Sequence, residues 1–239
     1  MCKLFFVSVI SWTISLSFFS GCVQCGKVKQ PLNVTVYNAG VSGNNSAQGV
    51  KRFDSDVLAK KPAVVVVGFG MNDAVNSHNS VNIEDFQNNI SEMVQRCHRG
   101  NIKVVLNTIN PVTETELYKR HKESFYADHG GANEKIKAYN KVIRKIAAEQ
   151  KVPVADYYKA IEKADFAVVS KDGVHPTPEG SRLLAEVVEV QLRKIVSDND
   201  VIVCIGDSIT KRGYPEIIQE SFGRTDAVLP EGEITGKAE

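Results

Sequence analysis

Apolar positions along the chain gather into five short runs that read as strands: Asn33–Asn38 (NVTVYN), Ala63–Gly68 (AVVVVG), Ile102–Thr108 (IKVVLNT), Val152–Asp156 (VPVAD) and Val201–Ile205 (VIVCI). Several are almost continuously apolar and β-branched, the pattern of parallel strands covered on both faces. Between them the period changes to that of a helix. Ile83, Phe86, Ile90, Met93, Val94 and Cys97 recur at helical spacing, with Asn82 placed as N-cap and Gly100 as the C-terminal stop. A second helix covers roughly residues 132–150 and carries Ile136, Tyr139, Val142, Ile143 and Ile146. A third follows Thr177-Pro178, an N-cap with proline in the first turn, and carries Leu183, Leu184, Val187, Val188, Leu192 and Ile195. Weaker helical patterns fit residues 47–60 and 214–222.

Strands alternating with helices imply right-handed βαβ units. The expected fold is therefore α/β: a three-layer α/β/α sandwich around a flavodoxin-like, five-stranded parallel sheet. In such sheets ligands bind beyond the carboxyl ends of the strands. Residues 110–131, polar and rich in Glu, Lys and His, form a longer connection that reads as an insertion beside that site. Residues 223–239 read as a polar tail, which leaves 31–222 as the folded domain.

Composition narrows the function. A chain of 239 residues with 43% hydrophobic and 24% charged positions is an ordinary globular protein. With 29 basic against 28 acidic residues the net charge is +1, which gives no electrostatic reason for a nucleic-acid partner. Neither a P-loop nor a G-x-G-x-x-G run is present. The first 22 residues differ in kind: one lysine, an apolar and serine-rich run from Leu4 to Phe19, then small residues. They read as a secretory signal, too short and too serine-rich for a membrane span. Phe19-Ser20-Gly21-Cys22 also resembles a bacterial lipobox, in which Cys22 would be acylated and anchor the chain to a membrane. The protein is accordingly expected to be exported, whether secreted, periplasmic or lipid-anchored. Cys97 and Cys204 fall on apolar faces and read as small buried hydrophobes, and Cys22 and Cys25 lack the partners of a zinc or redox site. No metal or cofactor is expected.

Polar clusters stand where the strands release the chain. After the first comes Asn38-Ala39-Gly40-Val41-Ser42-Gly43-Asn44-Asn45, and after the second Gly68-Phe69-Gly70-Met71-Asn72-Asp73. Asp172-Gly173-Val174-His175-Pro176 opens the third helix, and Gly206-Asp207-Ser208 follows the last strand. Each alone is ordinary turn chemistry. Together they resemble the four motif blocks of the SGNH hydrolases, the GDSL esterase/lipase family: "IGDSIT" for the serine block, "NAGVSGNNS" for the glycine, "GMND" for the asparagine and "DGVHP" for the aspartate and histidine. The resemblance runs from about Asn33 to Phe222. In the usual family order the serine block comes first, whereas here it comes last. Moving residues 201–222 in front of Asn33 restores the family layout, so the chain reads as a circular permutation. The strand carrying Ser208 should then lie in the middle of the sheet, between the first two strands.

The resemblance implies a carboxylic ester hydrolase with Ser208 as nucleophile, His175 as general base and Asp172 holding the imidazole tautomer. The backbone N–H groups of Ser208 and Gly43 and the side-chain amide of Asn72 would form the oxyanion hole. Asp207, Asp73 and Asn38 read as structural supports, and His78, His98, His121 and His129 as surface residues. The implied substrate is a small-molecule or carbohydrate ester, with a tilt towards short, acetyl-sized acyl groups. A lysophospholipase or thioesterase of the same family and a non-catalytic glycan-binding module are the alternatives.

Overall fold

The β-branched runs form the expected sheet because valine and isoleucine pack well on both faces of a pleated strand. The computed structural model describes residues 31–164 and 170–223. Its strands are β1 (Thr35–Gly40), β2 (Val64–Gly68), β3 (Lys103–Asn107), β4 (Val154–Ala155) and β5 (Val201–Gly206), all parallel, in the order β1-β5-β2-β3-β4. Strand β5 is thus last in sequence and second in the sheet. Counted first, it turns the order into 2-1-3-4-5, the flavodoxin-like arrangement.

Alternating side chains of the strands feed two cores. Val65, Val67, Val104, Leu106, Val203 and Ile205 pack against the helices Ile83–Arg99 and Ala132–Gln150. Val64, Val66, Val105, Ile202 and Cys204 point the other way, to Tyr157–Glu162, Pro178–Leu192 and Tyr214–Phe222. Cys97 and Cys204 are buried and free, and burial pushes both thiols up to about 12.

The two ends that the rearranged order would join lie together. Leu32 N–H donates to Phe222 O at 3.0 Å, so the strand β1 region and the Tyr214–Phe222 helix meet where a crossover loop would run. At the opposite joint, residues 197–200 form a tight turn tied to Asn33. Asn199, at φ +66°, donates its N–H to Asn33 O (2.6 Å), while Asp198 accepts from Asn33 N–H (2.7 Å).

Three expectations change. Strand β1 begins and ends two residues later than the apolar run, because the turn-like Asn38-Ala39-Gly40 stays paired with Cys204-Ile205-Gly206. Residues 47–60 are not one helix: Ser46–Lys51, Phe53–Asp56 and a 3₁₀ turn Leu58–Lys60 follow in succession. The first break falls at Arg52, whose guanidinium reaches Ala39 O, Gly206 O and Asn44 Oδ1, each at 2.8 Å. Residues 110–131 contain a short helix, Glu114–Leu117, and a 3₁₀ segment, Glu123–His129, pinned by buried Leu117 and Tyr126. The leader with Cys22 and the tail from residue 224 lie outside the described residues. Among those described, no helix is long and apolar enough to cross a membrane.

Candidate active site

Three glycines stand abreast at the carboxyl end of the sheet: Gly40 on β1, Gly206 on β5 and Gly68 on β2, in direct register. The missing side chains let the next turn lie flat on the sheet. A Cβ on Gly40 would sit 2.8 Å from Thr210 C and Lys211 Cα, and one on Gly206 would sit 2.5 Å from Gly68 O. Over this row the chain leaves β5 through Asp207, whose Oδ1 accepts the Ile209 N–H at 2.8 Å and caps the short helix Ser208–Lys211. Ser208 is therefore the first residue of a helix, nine-tenths buried, its hydroxyl facing a cleft.

The DGVHP block arrives from the other side. Asp172 Oδ1 accepts the backbone N–H groups of Val174 (3.0 Å) and His175 (2.7 Å), which folds the loop back on itself. Its Oδ2 lies 2.7 Å from His175 Nδ1, and His175 Nε2 lies 3.0 Å from Ser208 Oγ. Partial burial alone would raise the Asp172 carboxyl. The imidazole and the two backbone donors outweigh it and hold the group well below the usual carboxylate range. An ionised Asp172 accepts the Nδ1 proton, which leaves the Nε2 lone pair facing the serine hydroxyl.

Gly43 and Asn72 line the same cleft of about 380 Å³, together with Ser42, Met71, Val75 and Val174. Gly43 adopts φ +78°, the left-handed region, with nothing within 4 Å of the position a Cβ would take. The Asn72 amide donates to Asn44 O at 3.0 Å and lies 3.4 Å from Asp207 Oδ2. Asn76 holds its oxygen at 3.2 Å. One amide hydrogen is thus engaged and the other, in the longer contact, is the freer to point into the cleft.

Beneath the cleft two carboxyls are buried. Asp73 accepts from Ser46 N–H (2.9 Å) and Ser46 Oγ (2.5 Å), which fastens the glycine block to the asparagine block. Burial raises Asp73 to about 6. Burial, with Asp73 nearby, raises Asp207 to about 7.

The family model for the GDSL-like lipase/acylhydrolase family matches residues 24–183. The chain belongs to that family. Its members are carboxylic ester hydrolases, and the Ser208 block of this GDSL-type chain lies beyond the matched stretch. Among relatives, an uncharacterised lipoprotein of Bacillus subtilis, YqeF, is 27% identical over 66% of this chain and 73% of its own. The esterase TesA of Pseudomonas aeruginosa is 25% identical over 67% and 71%. A solved GDSL-like lipase from Bacteroides thetaiotaomicron superposes with a TM-score of 0.57 at 30% identity, over 66% of this chain and 75% of that one. An acetyl xylan esterase does so with 0.53 at 26%, over 63% and 77%.

Of the five residues singled out in the sequence, Ser208, His175, Gly43 and Asn72 line the cleft of this GDSL-type chain, and Asp172 lies behind His175, 2.7 Å from its Nδ1. Arg120 and His121, by contrast, carry no motif. Arg120 donates to Asp172 O at 3.1 Å and approaches its carboxylate at 3.7 Å. His121 was expected at the surface, yet it lines the cleft with Nδ1 3.0 Å from Ser77 Oγ. Burial, His78 and Arg120 together lower its pKa. Only the position of residues 110–131 as an insertion beside the site hinted at either residue. Arg52, which ties the ends of β1 and β5 to the glycine block, gave no signal at all. Among the described residues, no group of three or more His, Cys, Asp or Glu is arranged to hold a metal.

Proposed function

We propose that the protein hydrolyses short acyl esters, chiefly acetyl groups on carbohydrate, through a Ser208-His175-Asp172 triad and an acyl-enzyme. The observation that carries this reading is the unbroken hydrogen-bonded chain from Asp172 Oδ2 to Ser208 Oγ, with links of 2.7 and 3.0 Å. In the first half-reaction Ser208 Oγ attacks the acyl carbonyl as its proton passes to His175 Nε2. Negative charge moves to the carbonyl oxygen, received by the N–H groups of Ser208 and Gly43 and by the Asn72 amide. His175 then gives its proton to the departing alcohol. In the second half-reaction a water molecule takes the place of the alcohol, the carboxylic acid is released and the free serine is regenerated. The preference for short acyl groups rests on the modest apolar wall made by Met71, Val75, Leu117 and Val174. It is supported by the likeness to an acetyl xylan esterase.

The leader belongs to the same reading. Residues 1–22 would export the chain and Cys22 would carry the lipid, in keeping with the lipoprotein name of the Bacillus subtilis relative. The position of β5 and the Leu32–Phe222 contact support a circularly permuted domain over residues 31–222. Hydrolysis of p-nitrophenyl acetate tests the chemistry. Ser208→Ala should lower kcat at least a thousandfold with an unchanged thermal midpoint. Undiminished hydrolysis by that variant refutes the assignment.

A further inference from the structure

The cleft is cationic in a protein that is nearly neutral overall. Arg120 and Arg212 both line it, and no carboxylate is among the lining side chains. Arg212 directly follows the Ser208 helix; it is exposed, and among the described residues its guanidinium makes no ion pair or side-chain hydrogen bond. Arg120 is about half exposed. Its contact with the Asp172 carboxylate is long at 3.7 Å, and that carboxylate already accepts from His175 and two backbone N–H groups, so the guanidinium keeps donors for a further anion. Two arginines with uncommitted donors at the mouth of one cleft are poor partners for a neutral ligand and good ones for a planar anion. Arg120 sits on the Asp172–His175 side of the cleft. In serine ester hydrolysis the histidine protonates the departing alcohol, so this is the side where the alcohol leaves.

Resting on the hydrolase reading above, we propose that the substrate is an ester whose alcohol portion carries a carboxylate, such as an O-acetylated uronic acid, bound by Arg120 and Arg212. The arginines would orient the sugar ring so that its acetyl group falls between Ser208 and the apolar wall.

Binding and turnover are measured separately, so that the two readings can fail separately. NMR titration of the Ser208→Ala protein compares a methyl O-acetyl-galacturonoside with the corresponding O-acetyl-galactoside, its carboxyl-reduced counterpart. The uronoside should bind about tenfold more tightly at low salt, with about fivefold lost on adding Arg212→Gln, the upper end for one exposed ion pair. The advantage should shrink towards unity at 1 M salt. Equal affinities overturn the proposal whether or not the wild type hydrolyses either compound. A matching O-acetyl sugar phosphate that binds more tightly than the uronoside overturns the carboxylate assignment. Selective binding with no turnover by the wild type of either the uronoside or p-nitrophenyl acetate upholds the anion site and refutes the hydrolase reading alone.

Discussion

Replacing Asp172 with asparagine exchanges one carboxylate oxygen for an NH₂ group and, on this geometry, moves a proton on His175. Oδ1 of Asp172 accepts two backbone N–H groups, at 3.0 and 2.7 Å. The carbonyl oxygen of an asparagine must take that place, because an amide NH₂ there would face two donors. Its NH₂ is then directed at His175 Nδ1, 2.7 Å from the oxygen it replaces. The imidazole can only accept at Nδ1, so its proton moves to Nε2 and faces Ser208 Oγ, 3.0 Å away. A base holding its proton towards the nucleophile cannot remove the serine's. Triads with the wrong tautomer lose on the order of 10⁴ in kcat, which corresponds to about 5 kcal/mol of barrier. The substitution also removes the Arg120–Asp172 ion pair, but at 3.7 Å and with both side chains more than a third exposed it is worth less than ~1 kcal/mol and cannot mimic the loss. Steady-state hydrolysis of p-nitrophenyl acetate should place Asp172→Asn close to His175→Ala, with near-native circular dichroism. An Asp172→Asn enzyme that folds normally and keeps more than a tenth of wild-type kcat refutes the reasoning.

Two further predictions concern the scaffold. Gly40→Ala pushes a methyl group against the backbone of Thr210 and Lys211, which cannot swing aside as a side chain would. It should cost about 1–3 kcal/mol in denaturant unfolding and lower kcat on the order of 10²-fold by displacing Ser208; full activity at reduced stability would show that the turn tolerates the shift. Asp207 and Asp73, raised to about 7 and about 6, bind protons more tightly in the folded chain than in the unfolded one. Their stabilising contribution is present near pH 4 and is lost as pH rises through 6 and 7, by at most about 1.4 kcal/mol per pH unit for each group. Asp172, whose pKa is depressed, acts in the opposite sense and only in the acid range below about pH 4. The thermal midpoint should therefore fall between pH 5 and pH 8, and fall less in Asp207→Asn. A midpoint that rises over this range contradicts the assignment.

The features legible in the sequence share a physical basis. The continuous β-branched runs gave strands because a two-sided sheet demands them, and all five motif residues stand at strand ends or helix starts, where backbone direction is set locally. The central place of β5 was also legible, through the resemblance to the family's block order once the serine block is moved to the front. The hidden features depend on contacts between segments far apart in the chain. Arg52 lies in a segment with a helical pattern, and nothing local says that its side chain will bind the carbonyls of Ala39 and Gly206, the latter 154 residues away. Arg120 and His121 sit in a polar stretch whose path is set by the burial of Leu117 and Tyr126. The raised carboxyls of Asp73 and Asp207 follow from depth, and for Asp207 also from Asp73 nearby, and neither cause has a periodicity to read.

The order of the strands also governs when the protein can exist. Strand β5 pairs along its full length with β1 on one edge and along most of it with β2 on the other. Until residues 201–206 are available, β1 and β2 stand about 10 Å apart, two strand spacings, each with unsatisfied backbone groups along an apolar edge. The native sheet therefore closes only when residues 201–206 are available, after nearly the whole domain has been synthesised. The strand that closes it also carries Ser208. Completion of the fold and assembly of the hydrogen-bonded chain to Asp172 are thus one event, and a chain released early presents two adhesive edges in place of a partly working site.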